Sequence, residues 1–236
     1  MNTATSGWWC ISPKRRAAEA SAAGIAQSVA SVWQSRMARM NSPDAAFRLE
    51  LNAVDTLCTY AAIPSRYRTQ TVFEVSTGDG DLTLQERGLP APFDKDYDEL
   101  ENPVQWPRLF DVSRWAMVSA FAGTRLVGGA IVAFDTPGLD MLEGRRDLAV
   151  LWDIRVHPDV HGQGVGTALF CAVKHWSIQR GAETLRIETQ NVNVAACRFY
   201  LAMGCRLVAA EAGAYPELPG ETKLLWELAL ARQGPR

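Results

Sequence analysis

The chain has 236 residues, 47% apolar and 21% charged, with a formal net charge of -2. This composition fits one ordinary globular domain whose core needs neither disulfides nor a structural metal. It removes the general electrostatic case for nucleic acid or an anionic membrane surface as a partner. Residues 1–44 stand apart. They are rich in Ala, Ser and Met, carry Lys14, Arg15, Arg16, Arg36 and Arg39, and have one acid before Asp44, Glu19. Their composition resembles a transit peptide, and the alternatives are a poorly ordered extension or a true start at Met37 or Met40. Ala17 to Arg39 has the composition of a helix.

The domain proper, 45–236, opens with a strand at Phe47 to Leu51, and Thr71 to Val75 is β-like. Asp79-Gly80, with Leu82 and Leu84 beyond, suggests a hairpin. Pro90 to Pro107 holds four prolines and many acids, and reads as loop with one short helix at Asp94 to Leu100. Trp115 to Ala122 and Arg125 to Phe134 form a hairpin around Gly123-Thr124, which rules out a membrane span there. A loop over Asp135 to Asp147 leads to a strand, Ala149 to His157. Gly164 to Arg180 is an amphipathic helix with Val165, Leu169, Val173 and Trp176 on one face, stopped by Gly181. Thr184 to Thr189 is a strand and Val194 to Met203 a helix. Arg206 to Ala210 and Thr222 to Leu230 close the chain as strands. The order predicts an α/β fold with a central sheet of mixed direction.

The turn after Val156 reads His161-Gly162-Gln163-Gly164-Val165-Gly166. Glycines let backbone N–H groups approach a ligand closely, and the first amides of the following helix have no internal partner. With the helix dipole positive at that end, the segment suits a phosphate. The spacing is not the dinucleotide G-x-G-x-x-G, because residue 167 is Thr, and the turn lies late, behind antiparallel β. Both facts count against a nicotinamide cofactor. The five cysteines include no C-x-x-C pair and read as reduced, mostly buried thiols of a cytoplasmic protein. His157 and His161 are separated by Pro158 and cannot share a helix face, so no metal site is expected.

At these residues the chain resembles the GNAT superfamily of N-acetyltransferases. The family's cofactor turn, Arg or Gln followed by x-x-G-x-G/A, is met by His161-x-x-Gly164-x-Gly166. Its next element, N-x-x-A-x-x-L/F-Y-x-x-x-G-F, is met by Asn193 to Gly204, with Cys205 in place of Phe. Glu188 to Cys197, Trp152-Asp153-Ile154 and Glu221 to Trp226 resemble the streptothricin acetyltransferase branch. Two positions depart from the pattern. His161 replaces Arg or Gln. Trp152 stands where that branch tends to carry a Glu, which removes one acid from the acceptor site.

The resemblance implies a mostly antiparallel central sheet flanked by helices, and acetyl-CoA as co-substrate. It implies a cofactor site at Ile154, Val156, His161, Gly162, Gln163, Gly164, Val165, Gly166, Thr167 and Asn193. Asn193 is also a good helix N-cap. Strands of this family splay beside the cofactor, which frees backbone groups on Ile154 to Val156. Tyr200 is implied as the acid that protonates the leaving sulfur. As a core residue, Phe199 is the better candidate of the two. Glu188 and Asp153 are rival bases or amine-binding carboxylates, and either could instead be a structural partner of Arg155 or Arg186.

The expected activity is acetylation of a primary amine on a small cationic molecule, by a monomer or homodimer. Acetylation of a protein N-terminus or lysine, and non-catalytic acyl-CoA sensing, are the alternatives. Trp106, Tyr97 and Tyr215 could line a pocket or cover the core.

Overall fold

The computed structural model describes residues 46–54, 57–78 and 81–230. The expected 1–44 extension, its helix and the Asp79-Gly80 turn lie outside these residues. Seven strands form the main sheet: β1 (Arg48–Asn52), β4 (Ala116–Ala122), β5 (Arg125–Phe134), β6 (Leu148–Val156), β7 (Thr184–Gln190), β8 (Arg206–Ala212) and β9 (Thr222–Ala229). Their spatial order is β1-β4-β5-β6-β7-β9-β8. Every pairing is antiparallel except β6 with β7. That one parallel step is the crossover through the long helix α3 (Val165–Gln179), as a parallel pair requires. Helix α4 (Val194–Ala202) joins β7 to β8. Among the described residues no helix is long and apolar enough to cross a membrane.

A second, two-stranded ribbon pairs β2 (Tyr67–Gly78) with β3 (Asp81–Lys95). Its strands are much longer than the sequence suggests, because β3 runs through Pro90 and Pro92 into the segment expected to be loop. The ladder passes from Thr71↔Gly88 to Thr69↔Phe93, so Leu89 to Pro92 bulge opposite Gln70. Prolines are tolerated there because a bulge asks for no ladder N–H. The expected helix at Asp94 to Leu100 shrinks to one 3-10 turn, Tyr97–Glu99, capped by the Asp96 side chain.

Both faces of the sheet centre are covered, which is why β4 and β5 read as nearly unbroken apolar runs. On one face α3 brings Val165, Leu169, Val173 and Trp176 down onto Val127, Ala130 and Val132. On the other, α1 (Leu57–Tyr60) and α2 (Trp106–Leu109) bring Tyr60 and Trp106 against Met117, Ile131 and Val150. Gly129 is needed here: a Cβ on it would lie 2.7 Å from the Tyr60 ring. Gly129→Ala should therefore cost about 1–3 kcal/mol through forced movement of a fully buried ring. Urea unfolding checks this, and an unchanged midpoint would show that the ring is free to shift.

One irregularity matters for the site. The β5–β6 ladder steps from Val132↔Leu151 to Ile131↔Asp153, leaving Trp152 as an extra residue. Before it, Leu148, Val150 and Trp152 pack on the Tyr60 face. Beyond it, Arg155 reaches the Ile63 carbonyl and the Tyr60 ring on that same face, and Ile154 and Val156 pack with the α3 side. A one-residue insertion exchanges the faces of everything that follows it. The bulge at Trp152 thus delivers Asp153 and Arg155 to the side away from α3.

Candidate active site

β6 and β7 pair only over Leu148–Leu151 and Thr184–Ile187. Beyond Ile187, β7 stays with β9 as far as Gln190↔Lys223, and β6 stays with β5 as far as Gly128↔Val156. The two strands therefore fork, and this is the splay the family resemblance implies. His157 N–H donates to the Val127 carbonyl at 2.8 Å, on the β5 side. Backbone groups alternate along a strand, so those of Ile154 and Val156 point to the edge that β7 has left. The Val156 carbonyl there accepts from His161 Nε2 at 2.8 Å. His161, which replaces the usual Arg or Gln, ties the turn to the strand end.

The glycine turn then starts α3. Gly162 and Gly164 have φ of 74° and 82°, and Gly164 is the N-cap. A side chain at either would be strained. The first intrahelical bond is Ala168 N–H to the Gly164 carbonyl at 3.0 Å, so the amides of Val165, Gly166 and Thr167 precede the helical ladder. Val165 buries its side chain in the core, which leaves only its backbone for a ligand. A Cβ on Gly166 would meet nothing closer than 3.7 Å, so packing does not demand glycine there. Gln163 folds back and donates to the Asp159 carbonyl at 3.3 Å. Three free amides at a positive helix end fit a phosphate-bearing cofactor. Asn193 caps α4 by accepting from Ala196 N–H at 3.1 Å.

On the face away from α3, the fork is lined by acids. Asp153 Oδ2 accepts from Arg155 Nε at 2.6 Å, and Asp98 accepts from Arg155 Nη1 at 2.7 Å. The guanidinium side chain is 4% exposed. Asp153 is thus the structural partner of Arg155 that the sequence left open. Burial raises its pKa and Arg155 opposes the rise. The Tyr60 hydroxyl, fully buried, faces Asp153 without closing a hydrogen bond of normal geometry. The other open pairing, Glu188 with Arg186, is not made: Arg186 binds Glu143 and Glu227, each at 2.7 Å. Glu188 instead accepts from the Tyr215 hydroxyl at 2.8 Å.

Tyr215 is one link in a longer chain. Gln190 Nε2 donates to Tyr215 Oη at 3.1 Å, and Tyr97 Oη donates to Gln190 Oε1 at 2.5 Å. Tyr67 Oη lies 3.4 Å from Tyr97 Oη. Lys95 and Glu221, both largely buried, pair at 2.6 Å beside Tyr97. Of the three aromatics left open by the sequence, Tyr97 and Tyr215 belong to this polar chain. Trp106 belongs to the core, clustered with Trp115 and Trp152.

Tyr200 sits at 5% exposure against Phe170 and Trp226, and Phe199 is only partly buried. This reverses the expectation that Phe199 is the core residue of the pair. The Tyr200 hydroxyl makes no hydrogen bond to any of the described residues. Burial, then the charge of Asp153, raises its pKa well above that of a free phenol. It therefore holds its proton at any working pH.

Three functional candidates escaped the sequence. Glu101, upstream in a segment read as loop, receives a hydrogen bond from Trp106 Nε1 and lies near both Trp152 and Asp153, where burial raises its pKa. It supplies an acid beside the position where Trp152 replaces one. Gln190 and Asn191 fall in the Glu188 to Cys197 stretch that carries the branch resemblance, but the sequence gives neither side chain a role. Asn191 is buried and pins the ribbon, donating to the Phe73 carbonyl at 2.9 Å and accepting from Thr222 N–H at 2.8 Å.

Comparison with known proteins identifies the family and the fold. Residues 83–205 match the acetyltransferase (GNAT) family. A streptothricin acetyltransferase of Escherichia coli is 27% identical over 165 residues, covering 69% of this chain and 84% of that protein. The crystal structure of a nourseothricin acetyltransferase superposes with a TM-score of 0.62 at 25% identity, covering 79% of this chain and all of that one. A Bacillus anthracis str. Ames chain, named for streptothricin acetyltransferase activity and crystallised with acetyl coenzyme A, shares the fold at 19% identity. Its TM-score is 0.62, and the match covers 78% of this chain and 99% of that one. The chain belongs to the acetyltransferase (GNAT) family, in its streptothricin acetyltransferase-like branch, and is an acetyl-CoA-dependent N-acetyltransferase.

Proposed function

We propose that the protein acetylates a primary amine of a small cationic molecule, with Glu188 as the proton acceptor, Asp153 as an orienting charge and Tyr200 as the acid. The observation that carries this is unbalanced negative charge at the fork. Asp98 and Asp153 share a single cation, Arg155. Glu188 has a neutral hydroxyl as its partner and, among the described residues, no Lys or Arg within ion-pair distance. A cationic acceptor would complete both groups. The relatives named for streptothricin and nourseothricin make those compounds the first acceptors to offer.

Acetyl-CoA supplies the thioester carbonyl. The amides of Val165, Gly166 and Thr167 would hold its phosphates, and the edge groups of Ile154 and Val156 its pantetheine arm. His161, Gly162, Gln163 and Gly164 shape that turn, and Asn193 fixes the start of α4 below it. Glu188 takes a proton from the acceptor ammonium, which frees the nitrogen lone pair to form the C–N bond. Tyr200 gives its proton to the sulfur as the C–S bond breaks, and the second proton that the nitrogen sheds in becoming an amide replaces it on the Tyr200 oxygen. Asp153, whose carboxylate is already engaged by Arg155, is the less available proton acceptor and the better anchor. Glu188→Gln keeps the shape and the hydrogen bond from Tyr215 but removes the charge. It should lower kcat/KM for the amine by roughly 100-fold or more, with KM for acetyl-CoA unchanged. An undiminished rate, with Asp153→Asn inactive, would transfer the base to Asp153.

A further inference from the structure

We infer that Tyr215, on the loop between β8 and β9, is a positioning residue for acetyl transfer: its hydroxyl holds the Glu188 carboxylate in place, and Gln190 and Tyr97 in turn hold Tyr215. The inference rests on the reading of Glu188 as the proton acceptor.

The direction of the chain follows from one fact. An ionised carboxylate can only accept. Tyr215 Oη must therefore donate to Glu188 Oε1, at 2.8 Å. Its oxygen is then left to accept, and Gln190 Nε2 supplies the proton at 3.1 Å. That sets the Gln190 amide with Oε1 toward Tyr97, whose hydroxyl donates to it at 2.5 Å. Tyr97 Oη accepts from Tyr67 Oη. Four side chains from four separate segments are oriented by a single charge at the end of the row. They are Tyr67 at the start of β2, Tyr97 just past β3, Gln190 at the end of β7, and Tyr215 on its loop. A donor aimed at one carboxylate oxygen fixes its rotamer.

Nothing else in the described residues performs that task. The groups that feel Glu188 directly are Tyr215 on its loop and Lys223 on β9, and the nearest charged side chains along β7 and on β6 beyond the fork are Arg186 and Asp153. Lys223 feels Glu188 but pairs with Glu211 at 2.9 Å. Arg186 is taken by Glu143 and Glu227. Asp153 is taken by Arg155. The loop itself is braced by Leu218 N–H donating to the Tyr215 carbonyl at 3.0 Å. Burial, with the Glu188 charge, also keeps the Tyr215 hydroxyl protonated.

The test is the pH profile of kcat/KM for the amine with Tyr215→Phe, which keeps the ring and removes the donor. Losing a donor to the charged form raises the pKa of the carboxylate. The acidic limb should move upward by about half a unit to one unit, with KM for acetyl-CoA unchanged. Gln190→Leu, which releases Tyr215 without touching Glu188, should shift the limb the same way by less. A uniform fall in rate with the limb in place would reduce Tyr215 to a packing residue and overturn the inference. Glu188→Gln run alongside separates the two claims. If that variant is inactive while the Tyr215→Phe limb does not move, only the positioning role fails. If Glu188→Gln is fully active, the base assignment fails and the inference with it.

Discussion

Tyr200→Phe is expected to lower kcat by roughly two to four orders of magnitude, with KM for acetyl-CoA and thermal stability nearly unchanged. The two halves of this expectation have different physical origins. The ring of Tyr200 packs against Phe170, Phe199 and Trp226, and Phe preserves each of those contacts. The hydroxyl makes no hydrogen bond to the described residues, so removing it leaves no partner stranded. A purely structural tyrosine would therefore tolerate the change with full activity. As the proton donor, the same hydroxyl is the only part of the side chain that matters. Its raised pKa, caused first by burial and then by Asp153, keeps the proton available up to high pH. The alkaline limb of the wild-type profile should for that reason not be set by Tyr200. Single-turnover rates of acetyl transfer check the prediction, and a variant with the wild-type rate would remove Tyr200 from the chemistry.

Arg155→Met should have the largest effect on stability, about 3 kcal/mol. The guanidinium is almost wholly buried and donates to Asp153, to Asp98 and to the Ile63 carbonyl while stacking over Tyr60 at 5.3 Å. Met fills similar volume but leaves two carboxylates without their cation. The lower end of the usual range applies because both carboxylates keep some access to water. The pH dependence has a definite sign. Asp153 already has a raised pKa from burial, and losing Arg155 raises it further. The folded variant then binds more protons than the unfolded chain. The Asp153 contribution to its stability is fully present below the ordinary Asp value and is lost as pH rises through the elevated one. Urea midpoints at pH 5 and pH 8 should therefore diverge more for the variant than for the wild type. Adding Asp153→Asn should recover part of the loss at pH 8. Equal midpoints for wild type and variant at pH 8 would show that the cluster contributes nothing.

The segment from β6 to α4 was legible because its signals are local. Helical periodicity placed Val165, Leu169, Val173 and Trp176 on one face, and all four are buried. Gly164 and Gly181 marked the helix ends, which fall at Val165 and Gln179. The strand fork followed from family resemblance and not from pattern. What escaped depends on contacts distant in sequence. The bulge at Trp152 is invisible in Leu148 to Val156, because a strand buried on both faces shows no alternation for a slip to break. The depth of Tyr200 depends on Trp226, and the position of Glu101 on Trp106 and Trp152. Pro90 and Pro92 read as loop markers in the sequence, and only the opposing strand reveals that they sit in a bulge. The row from Tyr67 to Glu188 brings together residues up to 148 positions apart in a chain whose hydroxyl and amide groups have no sequence signature of their own.

The most direct measurement combines the purified protein with acetyl-CoA and a panel of small amines, streptothricin among them, and follows free CoA thiol while mass spectrometry identifies the product. The predicted result is thiol release that depends on a small cationic amine, with one acetyl group gained on a primary nitrogen and peptides turned over far more slowly. Preferential turnover of peptide N-termini or lysines would contradict the proposed acceptor. Binding of acetyl-CoA with no amine-dependent thiol release from any acceptor would contradict the catalytic role assigned to the fork.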